Sequence, residues 1–94
     1  MRKTIIILLL MLLKARYTPA PGRDVEYGQG AIERNDLRHR EVAENVWLIE
    51  VEEGDPTTWE RRLNEAAKHG RFTVECATAD EEQAVREGRI TLQR

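Results

Sequence analysis

Residues 45–70, NVWLIEVEEGDPTTWERRLNEAAKHG, decide the fold class, because they join a strand pattern to a helix pattern through a short acidic turn. In the strand part, Val46 and Leu48 alternate with Trp47 and Ile49. A strand that is apolar on both faces is typical of the interior of a sheet that is covered on both sides. The stretch therefore predicts a central strand that is followed by a helix.

The helix part, residues 55–70, carries start and stop signals. Asp55 is suited to cap the helix N-terminus, and Pro56 follows at the first helical position. Gly70 is expected to stop the helix at its C-terminal end. The predicted buried stripe consists of Trp59, Leu63, Ala66 and Ala67.

The rest of the chain repeats the alternation of strand and helix. The pattern predicts a strand over residues 71–77, a helix over residues 80–87 and a last strand over residues 89–93. Cys76 is expected to be a small core residue, and Thr78 or Asp80 can cap the short helix. The order over residues 46–93 is β-α-β-α-β, which is typical of a small two-layer or three-layer α/β domain. Such alternation predicts parallel strands with right-handed crossovers.

The stretch TIIILLLMLLK, residues 4–14, holds the largest apolar block of the chain. Three alternatives fit it. A basic start and an apolar run are typical of a secretory signal, although no clean small-x-small cleavage pattern follows. A membrane anchor through residues 5–13 is short, because even residues 4–13 would span only about 15 Å as a helix, against a hydrocarbon core of about 30 Å. The third alternative, which we adopt, is a buried strand over residues 4–13.

This choice sets the expected organisation and location of the chain. Residues 1–16 form the apolar N-terminal segment, the Pro- and Gly-rich residues 17–30 form a linker or long loop, and residues 31–94 form the α/β domain. A buried strand implies a cytoplasmic protein. A signal or an anchor implies an exported or membrane-associated one.

A basic cluster, Arg38, His39 and Arg40, lies in AIERNDLRHREVAEN, residues 31–45, which we predict to be a surface helix. Three adjacent basic side chains can clamp a phosphate or a carboxylate. However, neighbours along a helix splay around it, and acidic residues of the same segment neutralise the cluster. The cluster is therefore a candidate partner contact on a solvated face.

Composition limits the chemistry. The 94 residues include 15 Lys plus Arg and 17 Asp plus Glu, a formal net charge of -2, which gives no long-range attraction for nucleic acid. One cysteine, Cys76, and two histidines, His39 and His69, do not suffice for a multi-thiolate metal site. Because no phosphate loop or hydrolase motif appears, we predict no catalytic residue, cofactor or metal.

Residues 46–92, VWLIEVEEGDPTTWERRLNEAAKHGRFTVECATADEEQAVREGRITL, resemble the first half of a response-regulator receiver domain. In that family, acidic residues after the first strand hold Mg²⁺ beside a phosphorylated aspartate. The resemblance gives the Mg²⁺ role to Glu53 and Asp55, whereas the phosphoacceptor position falls at or near Arg94. The family's later lysine and hydroxyl residue have no counterparts in this chain. The resemblance thus implies a style of fold rather than phosphoryl transfer.

These observations predict a non-catalytic protein-interaction or adaptor module that self-associates, because a core this small benefits from burial against a second copy. The alternatives are an exported or membrane-held protein with a C-terminal α/β domain, and a degenerate receiver-like signalling module. Trp47 and Trp59 flank the acidic turn, and they either pack in the core or leave one ring exposed as a partner anchor. The candidate partner-binding residues are Trp47, Trp59, Arg38, His39 and Arg40.

Overall fold

The computed structural model describes residues 10–22 and 28–94 of the chain, which form one small domain that mixes helices with a sheet. The elements in chain order are β1 (Met11–Pro19), α1 (Gly28–Arg34), β2 (Arg38–Ala43), β3 (Val46–Val51), α2 (Pro56–Ala66), β4 (Gly70–Cys76) and α3 (Ala79–Arg86). The predicted α/β class is confirmed.

The four strands form one sheet in the order β2-β3-β1-β4, and every neighbouring pair is antiparallel. The predicted pairing of parallel strands is wrong. β3 and β4 do run in the same direction on either side of α2, but β1 is inserted between them and runs against both. The first six elements thus have the β-α-β-β-α-β connectivity of the ferredoxin-like, or split β-α-β, arrangement.

β1 is a central strand that joins the apolar N-terminal run to residues expected in the linker. Residues 11–13 of the predicted strand over residues 4–13 belong to it, and residues 4–9 lie outside the described residues. Leu13, Ala15 and Tyr17 are buried, so β1 continues well beyond the apolar run. The boundary expected after residue 16 falls inside this strand.

The segment predicted as a helix over residues 31–45 divides into the end of α1 and the whole of β2. Asp36 has a φ of 55°, a left-handed conformation that ends the helix. β2 pairs with β3 through a tight turn in which Asn45 has a φ of 58°. Asparagine tolerates this conformation better than most residues, so Asn45 was a turn signal in the sequence. The helix prediction failed because it did not use this signal.

The helix signals around Asp55 are confirmed at the N-terminus of α2. The carboxylate of Asp55 accepts a hydrogen bond of 2.8 Å from the Thr58 amide, and Pro56 is the first helical residue. The end of α2 differs from the prediction, because the helix ends at Ala66 and Gly70 opens β4. The Tyr17 ring occupies the space that a Cβ on Gly70 would need.

Each face of the sheet carries a core, a larger one on one face and a smaller one on the other. α1 and α2 close a larger core on one face, which includes Leu13, Ala15, Tyr17, Ile32, Trp47, Ile49, Val51, Trp59, Leu63 and Phe72. A smaller core on the opposite face contains Leu48, Ala77 and Leu92, against which Leu12, Val85 and Ile90 pack. α3 and the C-terminal residues thus shield only part of that second face.

Two predictions near the C-terminus need correction. Residues 89–93 do not form a strand, because only Gln93 bridges to the β2 edge, at His39, while Leu92 is buried in the smaller core. Cys76 is exposed, although it alternates in phase with buried Phe72. Cys76 is the last residue of β4, where the larger core has already ended.

Candidate interaction surface

The basic cluster does not form an anion clamp. Arg38 and Arg40 are exposed, whereas His39 is buried, because successive residues of a strand point to opposite faces. Arg38 donates to the Leu92 carbonyl at 3.0 Å and lies 3.4 Å from a Glu50 carboxylate oxygen. The three side chains therefore do not converge on one ligand, and their role as partner contacts stays a prediction.

The two tryptophans lie in the larger core. Trp47 is 2% exposed and Trp59 is 6% exposed. The Trp59 indole nitrogen donates to the Glu53 carbonyl at 2.6 Å, and the Arg62 guanidinium lies 4.7 Å from its ring centroid. The Trp47 indole nitrogen is buried without a hydrogen-bond partner. Of the two alternatives for these rings, the structure shows packing in the core rather than an exposed anchor.

The acidic turn after β3 serves the start of α2. The backbone N–H of Thr58, assisted by its side chain, lowers the pKa of Asp55 from its ordinary value, as expected for a capping carboxylate. Within residues 10–22 and 28–94, His, Cys, Asp and Glu side chains form no group of three that could hold a metal ion. The prediction that this turn, with Glu53 and Asp55, does not take the Mg²⁺ role of the receiver family stays a prediction.

A groove lies between the start of β1 and α3, and we call it the β1–α3 groove. It encloses about 300 Å³, and its apolar lining comes from Leu10, Met11, Leu12 and Val85. Leu10 is 48% exposed and Met11 is 38% exposed. Among the described residues, the remaining exposed large hydrophobic side chain is Val42, at the opposite end of the sheet.

α3 is fixed on its side of the groove by a capping box and an ion pair. Thr78 and Glu81 satisfy each other's backbone amides, and Lys14 of β1 lies 3.0 Å from the Glu81 carboxylate. Partial burial raises the pKa of Glu81, but the Thr78 amide and Lys14 outweigh this effect and leave the pKa below its ordinary value. α3 therefore packs on the second sheet face as a fixed wall of the groove.

Opposite charges line the α3 side of the groove. Glu82 and Arg86 both line it, are both exposed, and stand four residues apart on α3. Arg86 donates to the Gln83 side chain at 3.3 Å, and neither charge belongs to an ion pair between described residues. Sequence reasoning placed Leu10 and Met11 in a buried strand and did not identify Glu82, Val85 or Arg86. The sequence did offer one signal for an exposed apolar end, because the apolar run over residues 4–13 is longer than β3 (Val46–Val51), the strand that pairs with it.

Among the described residues, no helix combines the length and apolarity needed to cross a bilayer. Comparisons with protein-family models, with curated proteins and with solved structures found no match to this chain. The arguments for function therefore start from the β1–α3 groove.

Proposed function

We propose that this protein is a non-catalytic interaction module that self-associates through the β1–α3 groove. The observation that carries the proposal is the exposed apolar end of β1, where Leu10 and Met11 both border the groove and are 48% and 38% exposed. Exposed apolar side chains that cluster in a groove are typical of protein contact sites, whereas isolated ones need no explanation.

A second copy is the partner that the chain's own properties favour. A domain of this length buries only roughly 60 to 65% of the surface of its unfolded chain, so additional burial between copies adds useful stability. The groove lining carries Glu82 and Arg86 on α3 and Glu50 on β3, and the Glu50 carboxylate lies 3.4 Å from Arg38. The two charges on α3 are therefore opposite and balanced where two copies would meet, despite the net charge of -2. An apolar centre with a charged rim is the usual anatomy of such contacts.

The test is sedimentation equilibrium of the full chain over a range of concentrations, with Met11→Asp compared with Val42→Asp. The two positions are matched, because Met11 is 38% exposed and Val42 is 39% exposed, and both lie in strands. We expect the native chain and Val42→Asp to dimerise. Met11→Asp should weaken the dimer at least about tenfold, since a contact that buries an unpaired carboxylate loses well over the 1.4 kcal/mol that corresponds to tenfold.

Two sedimentation results would contradict the proposal. One is a native chain that is monomeric at every concentration. The other is equal weakening by the two variants, which would assign the effect to lost strand stability. Flotation of monomeric native chain with phosphatidylcholine and phosphatidylglycerol vesicles, abolished by Met11→Asp, would likewise reject self-association and favour the membrane-held alternative.

A further inference from the structure

We infer that the two copies are related by a two-fold axis that passes beside α3, so that Glu82 of one copy pairs with Arg86 of the other, and the reverse. This inference rests on the proposed self-association and adds its geometry and its specificity-determining residues. It follows from the placement of two opposite charges on one face of one helix, next to the apolar part of the groove.

The helix geometry makes this surface self-complementary. Residues four apart on a helix are neighbours on one face, about 6 Å apart. When two copies of such a helix lie antiparallel across a two-fold axis, the first position of each faces the second position of the other. Glu82 then meets Arg86 twice, while Val85, three residues from Glu82, lies between the two pairs and close to the axis.

The charges of the groove are available for such pairing. On α2, an arginine and a glutamate with the same four-residue spacing form an ion pair within one helix, because Arg61 lies 3.2 Å from the Glu65 carboxylate. Glu82 and Arg86 have the same spacing but form no ion pair with each other, and Arg86 bonds to Gln83 instead. A parallel arrangement of the two helices would place like charges together, so the charges select the antiparallel one.

The experiment is a charge-reversal cycle on the full chain, read as the dimer dissociation constant by sedimentation equilibrium. Glu82→Arg places arginines opposite each other, and Arg86→Glu does the same with glutamates. Each single reversal should raise the dissociation constant about tenfold or more, because like charges at an interface are strongly unfavourable. The double reversal should restore it to near the native value.

The Arg61–Glu65 pair supplies the matched control, because Arg61→Glu and Glu65→Arg make the same charge changes at the same spacing on α2. These variants should leave the dissociation constant unchanged. If the groove reversals have no effect while Met11→Asp still dissociates the dimer, the two-fold arrangement is wrong and the proposed function stands. A double reversal that is no better than either single variant would also reject the arrangement.

Discussion

The outer edge of β4 is held by side chains of α2, and we expect Asn64→Ala to expose it. The Asn64 amide nitrogen donates to the Phe72 carbonyl at 3.1 Å, and its oxygen accepts from the Phe72 amide at 2.7 Å. Glu60 accepts from the Val74 amide at 2.8 Å in the same way. Unpaired edge strands invite pairing with other chains, so these contacts both stabilise the fold and protect its edge.

The magnitude follows from the bonds lost. Two hydrogen bonds at roughly 0.5 to 1.5 kcal/mol each set the gross loss at about 1 to 3 kcal/mol. Asn64 is half-buried, so hydrogen bonds to water compensate for part of this loss. The higher helix propensity of alanine adds about 0.5 kcal/mol to the free energy of unfolding. The free energy of unfolding should therefore fall by about 1 kcal/mol, with the largest local effect at Phe72.

Urea unfolding and amide hydrogen exchange measure this prediction. Asn64→Asp is the control, because a carboxylate keeps the acceptor for the Phe72 amide and loses only the donor to the carbonyl. We expect Phe72 exchange to accelerate in Asn64→Ala and to remain slow in Asn64→Asp. The reasoning is refuted if the Phe72 amide of Asn64→Ala exchanges as slowly as in the native chain.

Three further perturbations test the cap, the central strand and the contact of α3 with β1. Asp55→Ala should lower the free energy of unfolding by about 1 kcal/mol in urea titrations, because the Thr58 amide loses its acceptor. Deletion of residues 1–16 removes more than half of β1 (Met11–Pro19), so it should abolish the cooperative thermal transition, and an intact transition would show that β1 is dispensable. Because the pKa of Glu81 is lowered in the folded state, its ionised carboxylate stabilises the fold above the ordinary glutamate pKa, and this stabilisation is lost as pH falls through the lowered pKa. The fall in the free energy of unfolding from pH 7 to pH 3 should therefore be smaller in Glu81→Gln than in the native chain.

The elements near α2 were predictable because their signals are local. The caps at Asp55 and Thr78 and the apolar residues of β3 depend on neighbours within a few positions, and each appears in the structure. The strand order was not predictable in the same way. β-α-β alternation fits a parallel pair, and only long-range pairing shows that β1 separates β3 from β4.

β1 was difficult to delimit because its two faces meet different environments. Lys14 and Arg16 interrupt the apolar pattern, although they lie in a central strand. Both point to the face with the smaller core, where Lys14 pairs with Glu81 and Arg16 lies 3.7 Å from Glu75. Charged residues in a central strand thus indicated the end of the apolar run but not the end of the strand.

The exposed apolar surface is a consequence of sheet register. Met11 pairs with Val51, the last residue of β3, and pairing with β4 begins only at Leu13 with Cys76. The chain beyond Val51 turns away through two glutamates and a glycine, so β3 offers no partner strand for Leu10. Among the described residues, backbone pairing rather than side-chain choice thus leaves this end of β1 without a partner strand. The proposed self-association therefore begins at Leu10 and Met11.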